Sequence, residues 1–241
     1  MKTSIKTFFS ILFLATILSS CNANMFNSVN GNKNVITENR NAKADFTKIT
    51  ISTGLDLYIT QGSKNEIVVE ADENLHDIIF TEINEGVLKI YSEKNIWRAE
   101  AKKIHVTVTN LNAITATSGA NVYAEEMIKT NAITVIATSG ADIRLSLDAN
   151  SVSTTATSGA GIKVAGIANN HTATATSGAS INGYELESKN ATVKVTSGAD
   201  INIFASENMD AVATSGGDID FKGNPKKVNK TSTSGGSISA K

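Results

Sequence analysis

The second half of the chain alternates apolar and polar residues with a period of two, in segments that recur at regular intervals. Each segment begins at a tetrapeptide Thr-Ser-Gly-Ala or Thr-Ser-Gly-Gly, and a branched apolar residue stands two positions after it. Period-two alternation is typical of a half-buried β-strand. The pattern therefore predicts one inward-pointing column with the following members: Val122, Ile143, Ile162, Ile181, Ile201, Ile219 and Ile238.

The tetrapeptides recur about every 19 residues, which is the sequence signature of a solenoid. The predicted fold is all-β, a right-handed parallel β-helix (a pectin-lyase-like solenoid) with rungs of about 19 residues. A glycine in each tetrapeptide is expected to form a structural corner, because glycine adopts positive φ without a Cβ penalty. These corner glycines are Gly119, Gly140, Gly159, Gly178, Gly198, Gly216 and Gly235.

Two further columns complete the predicted rung. The strand before the corner has small residues inward: Ala116, Ala137, Ala156, Ala175, Val195, Ala213 and Ser232. The returning segment has apolar anchors: Ile128, Leu147, Ile167, Leu186 and Val228. The corner serines are expected to form hydroxyl ladders that satisfy backbone groups, since no histidine and aspartate accompany them as a catalytic triad would require.

Residues 45–241 are predicted to form one domain, in which residues 111–241 supply seven rungs and residues 45–110 are less regular. The segment Ser52-Thr53-Gly54 resembles a degenerate corner, so the irregular part is expected to continue and cap the same β-helix. A short helix is possible near Asn74–Ile79.

The N-terminus has the pattern of a bacterial lipoprotein signal. Residues 1–20 combine Lys2 and Lys6 with an apolar run, and Leu18-Ser19-Ser20-Cys21 resembles a lipobox. Cys21, the only cysteine, is the predicted lipid attachment site and would anchor the protein to a membrane. The Asn-rich residues 21–44 are predicted to be a tether. These features favour an outer-membrane lipoprotein on the periplasmic side, with surface exposure left open.

Charge argues against nucleic acid as a partner. The 22 basic residues less Lys2 and Lys6, against 23 acidic ones, leave a net charge of −3 in the mature chain. No basic stripe with interleaved aromatic residues is present either. We expect a monomer or weak dimer, because the last rung is crowded by lysines that discourage stacking: Lys226, Lys227, Lys230 and Lys241.

No nucleophile, acid–base pair or metal-binding cluster stands out, and no cofactor or metal is predicted. His76, His105 and His171 lie in different segments. A single Asp-containing rung near Gly216 is too little for a calcium site built from consecutive turns. Paired outward threonines suggest ice binding, but Ile136, Val212 and Lys194 interrupt their column.

A possible ligand face is formed by Tyr123, Arg144 and Lys163, which stand at equivalent outward positions of three consecutive rungs. An aromatic ring beside two cations suits a sugar or another polar ligand. A polysaccharide lyase would also need clustered carboxylates beside its basic residue, and no such cluster faces these residues in sequence.

The segment Phe46-Thr-Lys-Ile-Thr-Ile-Ser-Thr-Gly54, the turn Ile59-Thr-Gln-Gly62, the strand Leu88-Lys-Ile90 and the Thr-Ser-Gly-Ala rungs together resemble the auto-transporter adhesin head GIN domain family. The resemblance covers about residues 45–241 and implies a β-helix with an adhesion or envelope role. It supplies no catalytic residues. The expected function is therefore a non-catalytic adhesin or binding module for a glycan or an envelope protein; the alternatives are a lyase-like, carbohydrate-active β-helix and an envelope scaffold or stress protein.

Overall fold

The structure, a computed structural model, describes residues 28–42 and 44–241. The N-terminal strands are β1 Ser28–Asn30, β2 Val35–Arg40, β3 Lys48–Ile51, β4 Asp56–Gln61, β5 Glu66–Asp72, β6 Ile79–Asn84, β7 Val87–Ser92, β8 Asn95–Arg98 and β9 Lys102–Val108. The repeat strands are β10 Ala113–Ala116, β11 Asn121–Ala137, β12 Asp142–Ala156, β13 Gly161–Ala175, β14 Ser180–Val195, β15 Asp200–Phe204, β16 Asn208–Ala213, β17 Asp218–Lys222, β18 Lys227–Ser232 and β19 Ser237–Ala240. The predicted signal peptide and Cys21 lie outside the described residues.

The strands form a β-solenoid of about 7 turns with rungs of about 19 residues, as the sequence predicts. Successive rungs pair in parallel, so equivalent residues of neighbouring rungs lie side by side. Seventeen strands belong to one continuous sheet, and only β1 and β8 form a separate pair. The right-handed sense of the coil stays a prediction.

The predicted inward columns form the core of the rungs. Val122, Ile143 and Ile162 are in register and at most 3% exposed. The small inward residues from Ala116 to Ala213 are buried as well, whereas Ser232 of the last described rung is exposed. The alanine and isoleucine columns fill a narrow interior, which explains how the walls of the solenoid can approach closely without large side chains.

The corners are tighter than the sequence indicates. In each repeat the serine as well as the glycine is left-handed, for example Ser158 at φ 55° and Gly159 at φ +70°. The residue after the glycine donates its N–H to the threonine carbonyl, as Ala160 does to Thr157 at 3.3 Å. Two successive left-handed residues closed by this bond define a type I′ turn. Serine thus accepts a conformation that we expected of glycine alone.

Backbone groups connect one corner to the next throughout the repeats, and a hydroxyl contact joins the corners of Thr196 and Thr214 as well, at 3.1 Å. The N–H of Gly119 donates to the carbonyl of Ser139 at 3.1 Å, and the same bond repeats between later rungs. The serine hydroxyl instead contacts the threonine hydroxyl of its own turn, at 3.4 Å for Thr117 and Ser118. The expected hydroxyl ladder is therefore wrong, because the serine carbonyls already accept the axial bonds.

The return segment departs from prediction at two positions. Ile128, Leu147 and Leu186 are buried as expected, but Ile167 is 58% exposed and Val228 is 36% exposed. Gly166 takes the inward position that was assigned to Ile167: it pairs with Leu147 and Leu186. Its φ is +109°, and an added Cβ would lie 2.0 Å from the carbonyl oxygen of Leu147.

Val228 lies in β18, which pairs with β16 on one side only. The strand is exposed at all six of its positions, whereas β16 alternates between exposed and buried. The apolar residue is therefore exposed because no further strand of the described chain covers it.

The N-terminal part continues the solenoid, but not in chain order. Thr53 and Gly54 have φ of 60° and +67°, and Gly54 donates its N–H to the carbonyl of Ser118 at 3.0 Å, so the degenerate corner is confirmed. The rung made by β3 and β4 is paired with β10 and β11 on one side and with β7 and β9 on the other. The chain therefore adds an outer rung before it returns to begin the repeats.

Antiparallel strands cover that outer rung and form what we call the cap, residues 28–42 and 66–102. Strand β5 pairs antiparallel with β9, β2 with β5, and β6 with β7. The predicted tether of residues 21–44 is therefore wrong for its later part, which contains β1 and β2. The predicted helix near Asn74–Ile79 is a short 3-10 helix, Glu73–Leu75. No helix of the described chain has the length and apolar character needed to cross a membrane.

The buried carboxylate of Asp72 holds the cap together. It accepts the backbone N–H groups of Lys33 at 2.8 Å, Glu100 at 3.0 Å and Ala101 at 2.9 Å. Burial raises the pKa of Asp72, but these backbone donors outweigh burial and leave the pKa below its usual value. Because Asp72 accepts the N–H of Lys33, the asparagine-rich segment is held in place and has a structural role that its composition does not indicate.

Candidate ligand-binding site

The three residues of the predicted ligand face lie next to one another. Tyr123 pairs with Arg144 in the next rung, and Arg144 pairs with Lys163 in the rung after that. The same column extends in the other direction through Tyr58 and His105. We call this outward column, His105, Tyr58, Tyr123, Arg144 and Lys163, the ligand ridge.

The ridge is a continuous stack of rings and cations. The rings of His105 and Tyr58 have centroids 5.2 Å apart and planes at 20°, and those of Tyr58 and Tyr123 are 5.3 Å apart at 25°. The guanidinium carbon of Arg144 lies 5.6 Å from the Tyr123 ring centroid, within cation–π range. Because the ring faces cover one another, the ring edges and the polar tips are what a ligand would meet.

Charges at the two ends of the ridge are paired. Lys163 Nζ lies 3.0 Å from Glu185 Oε1, and Glu70 contacts both Lys103 at 3.1 Å and His105 at 3.2 Å. The hydrogen bond from Lys103 lowers the pKa of Glu70, more than burial raises it, and the bond from Glu70 raises the pKa of Lys103.

Arg144 differs from Lys163, the other cation of the ridge. Within the described chain it has no carboxylate at ion-pair distance, although its guanidinium contacts Tyr123. It is also exposed on the strand surface. Arg144 is therefore the ridge cation best able to accept an anionic or polar group from outside.

Hydrogen-bonding side chains flank the ridge. Asn121 donates to Asp56 at 2.8 Å, and the hydroxyl of Thr60 donates to Glu125 at 2.7 Å. These contacts fix the strand surface on both sides of the tyrosines. The arrangement offers fixed donors, acceptors and a cation to a ligand.

Tyr58 and His105 were not identified from sequence as part of the face. A signal was present for Tyr58, which follows Gly54 at the same interval as Tyr123 follows Gly119. Only the pairing of β4 with β11 and β9 reveals that the irregular segment extends the same column.

The other candidate groups are dispersed. His76 contacts Glu38 at 3.1 Å in the cap, and buried His171 contacts the hydroxyl of Thr154 at 3.0 Å inside the solenoid. No three His, Cys, Asp or Glu residues of the described chain are grouped to hold a metal ion. The outward threonine column is interrupted in register by Ile136, Lys194 and Val212.

The fold and the family match define an adhesin-like β-solenoid. The chain belongs to the family described as putative auto-transporter adhesin, head GIN domain, whose model matches residues 45–225. This confirms the resemblance found from the sequence motifs. No curated protein matches the chain.

Solved structures share the fold. A putative adhesin from Bacteroides fragilis has a TM-score of 0.81 at 21% identity, covering 88% of this chain and 100% of its own. A putative lipid binding protein from Parabacteroides distasonis has a TM-score of 0.73 at 20% identity, covering 89% and 99%. A putative adhesin from Parabacteroides merdae has a TM-score of 0.72 at 19% identity, also covering 89% and 99%.

Proposed function

We propose that this protein is a non-catalytic binding module of the cell envelope, anchored by a lipid on Cys21, that holds a glycan or an envelope protein along the ligand ridge. The observation that carries the proposal is the unbroken column from His105 to Lys163, which presents stacked rings and an unpaired guanidinium on a rigid strand surface. Membership of an adhesin family supports the binding role.

The rigidity of the ridge supports recognition of an extended partner. Its members are spaced by the rung repeat of about 4.8 Å, and neighbouring backbones are fixed by parallel pairing. A side-chain row held in this way loses little conformational entropy when a ligand binds. A linear glycan or an extended peptide could therefore contact several members at once.

The test is a glycan array probed with the chain from residue 21 onwards, combined with an assay for cleaved products. Binding without cleavage is the expected result, and Tyr123→Ala and Arg144→Ala should each weaken it about tenfold or more. Thr155→Ala is the matched control, because Thr155 is an outward residue on the strand before the corner. Product formation would instead indicate a lyase-like enzyme, and equal binding by all variants would exclude the ridge.

The anchor is tested in cells by labelling with a palmitate analogue. Cys21 is the only cysteine, so Cys21→Ala should abolish labelling and leave the signal uncleaved. Equal labelling of the variant would contradict the anchor without bearing on the ridge.

A further inference from the structure

The cap exposes the one tryptophan of the chain. Trp97 lies in β8 and is 60% exposed, while its neighbour Ile96 is buried. Two further large apolar residues of the cap, Val35 and Ile36 in β2, are also exposed, at 38% and 39%. Three of the seven large apolar residues exposed in the described chain thus lie at this end of the solenoid. Trp97 is the most exposed of the three, and its amphipathic ring is of the kind that contact surfaces favour.

Chain connectivity places this end next to the proposed anchor. Strand β8 pairs with β1, with Ser28 opposite Asn95 and Val29 opposite Ile96. Ser28 follows Cys21 by seven positions, and that length of chain spans at most about 25 Å. The rungs extend roughly 34 Å further along the axis. The cap is therefore the membrane-proximal end of a protein anchored at Cys21.

We infer that the cap contacts the lipid surface, with Trp97 at the level of the headgroups. This rests on the anchor proposed above. Tryptophan favours the membrane interface because its ring is apolar while its indole N–H can still bond to water or headgroups. A lipid partner is favoured over a protein because the anchor keeps a bilayer within reach of Trp97 at all times.

Charge contributes little to this contact. Lys94 and Arg98 are exposed on either side of Trp97, and Glu93 and Glu100 are exposed close by. The opposite charges offset one another, so the attraction comes from the apolar side chains. The contact should accordingly change little between low and high salt.

The experiment uses Trp97 as its own probe. The chain from residue 21 is coupled through its single cysteine to a maleimide lipid in vesicles of phosphatidylethanolamine and phosphatidylglycerol, with or without brominated acyl chains. We expect the Trp97 emission to shift to the blue and to lose about half its intensity on the brominated vesicles, since an interfacial ring lies close to the acyl chains. Chemical coupling makes the result independent of whether cells acylate Cys21.

The matched control places the tryptophan in the repeats instead of in the cap. The double variant Trp97→Phe/Ile167→Trp carries its only tryptophan at an exposed position of the repeats. Its emission should stay unquenched on the same vesicles. The inference is overturned if Trp97 keeps the emission of a water-exposed ring, or if both positions are quenched equally, because the rod would then lie along the membrane. Loss of quenching in high salt would also contradict it.

Discussion

The cap and the repeats bury their apolar side chains with different arrangements of strands. The repeats bury small and branched columns, alanine against isoleucine, and each rung covers the next. The cap buries Leu75 and Ile79 without forming such columns, and it reverses strand direction to close the sheet. The last rung at an end has no further rung to pair with, so the end of a solenoid needs a separate structure to cover it. The regular repeats therefore lengthen the solenoid, and the irregular antiparallel strands of the cap close its N-terminal end.

The largest effect is expected from the buried carboxylate of the cap. Asp72→Ala would leave the N–H groups of Lys33, Glu100 and Ala101 without their acceptor, and should lower the free energy of unfolding by about 3–5 kcal/mol. Asp77→Ala is the control, an exposed carboxylate of the same cap, and should cost less than about 0.5 kcal/mol. Chemical denaturation measures both variants, and equal midpoints would show that Asp72 does not stabilise the cap.

Acid should weaken the repeats before the cap. Burial lowers the pKa of His171 from 6.5 to about 4, so the unfolded chain binds a proton that the folded chain excludes. Stability should therefore fall as the pH drops from 6.5 to about 4, by about 3 kcal/mol in total. Asp72, whose pKa is lowered from 3.8, keeps its contribution above that pH and loses it only in stronger acid.

Denaturation as a function of pH tests this order. His171→Val should remove most of the pH dependence attributed to His171, whatever its effect at neutral pH. Hydrogen exchange at pH 5 should show faster opening in β13 than in β5. Faster exchange in β5 than in β13, or an unchanged pH slope in the variant, would contradict the order proposed here.

Two glycines within the repeats should differ although both have positive φ. Gly166→Ala forces a Cβ to within 2.0 Å of the Leu147 carbonyl oxygen, whereas nothing lies within 4 Å of a Cβ at Gly159. We expect a cost of about 2–3 kcal/mol for Gly166→Ala and about 1 kcal/mol for Gly159→Ala, the latter from backbone strain alone. Thermal unfolding of the pair measures the difference. Equal losses would mean that crowding at Leu147 is relieved without cost.

The smallest effect concerns the last rung, which lacks a cap in the described structure. Lys241 lies 3.2 Å from Asp220, and the Lys230 ammonium lies 4.5 Å from the Phe221 ring, so these lysines cover part of that rung. Replacing Lys226, Lys227, Lys230 and Lys241 by Gln should strengthen self-association about tenfold, or ~1.4 kcal/mol. Light scattering measures the mass; Lys194→Gln is the control. An unchanged mass at high concentration would contradict the role of these charges.

The repeats could be predicted in detail because the corner glycines define the register. From Gly140 and Gly159 one counts directly to Arg144 and Lys163, and the structure places them side by side. The error at Ile167 has a local cause: Gly166 occupies the inward position, and counting apolar residues does not detect that shift.

The cap and two of the five ridge residues, Tyr58 and His105, were not found in this way. Tyr58 meets His105 and Tyr123 through pairings between segments that are distant in sequence and out of chain order. Nor does composition reveal that the asparagine-rich segment folds, because its order depends on Asp72 receiving N–H groups from two separate loops. Hydrogen bonds between residues that are distant in sequence leave no periodic signal.

The order of the N-terminal rungs has a mechanical consequence. Strand β4 is held between β9 and β11, and β3 between β7 and β10, all of which come later in the chain. A pulling force that enters at residue 28 cannot detach this rung by opening one ladder, because two must rupture together. At the other end, β19 is joined to β17 alone and could be peeled off singly. Strands β1 and β2 also have one partner each and could detach first, but the β3–β4 rung should resist tension far better than β19 does.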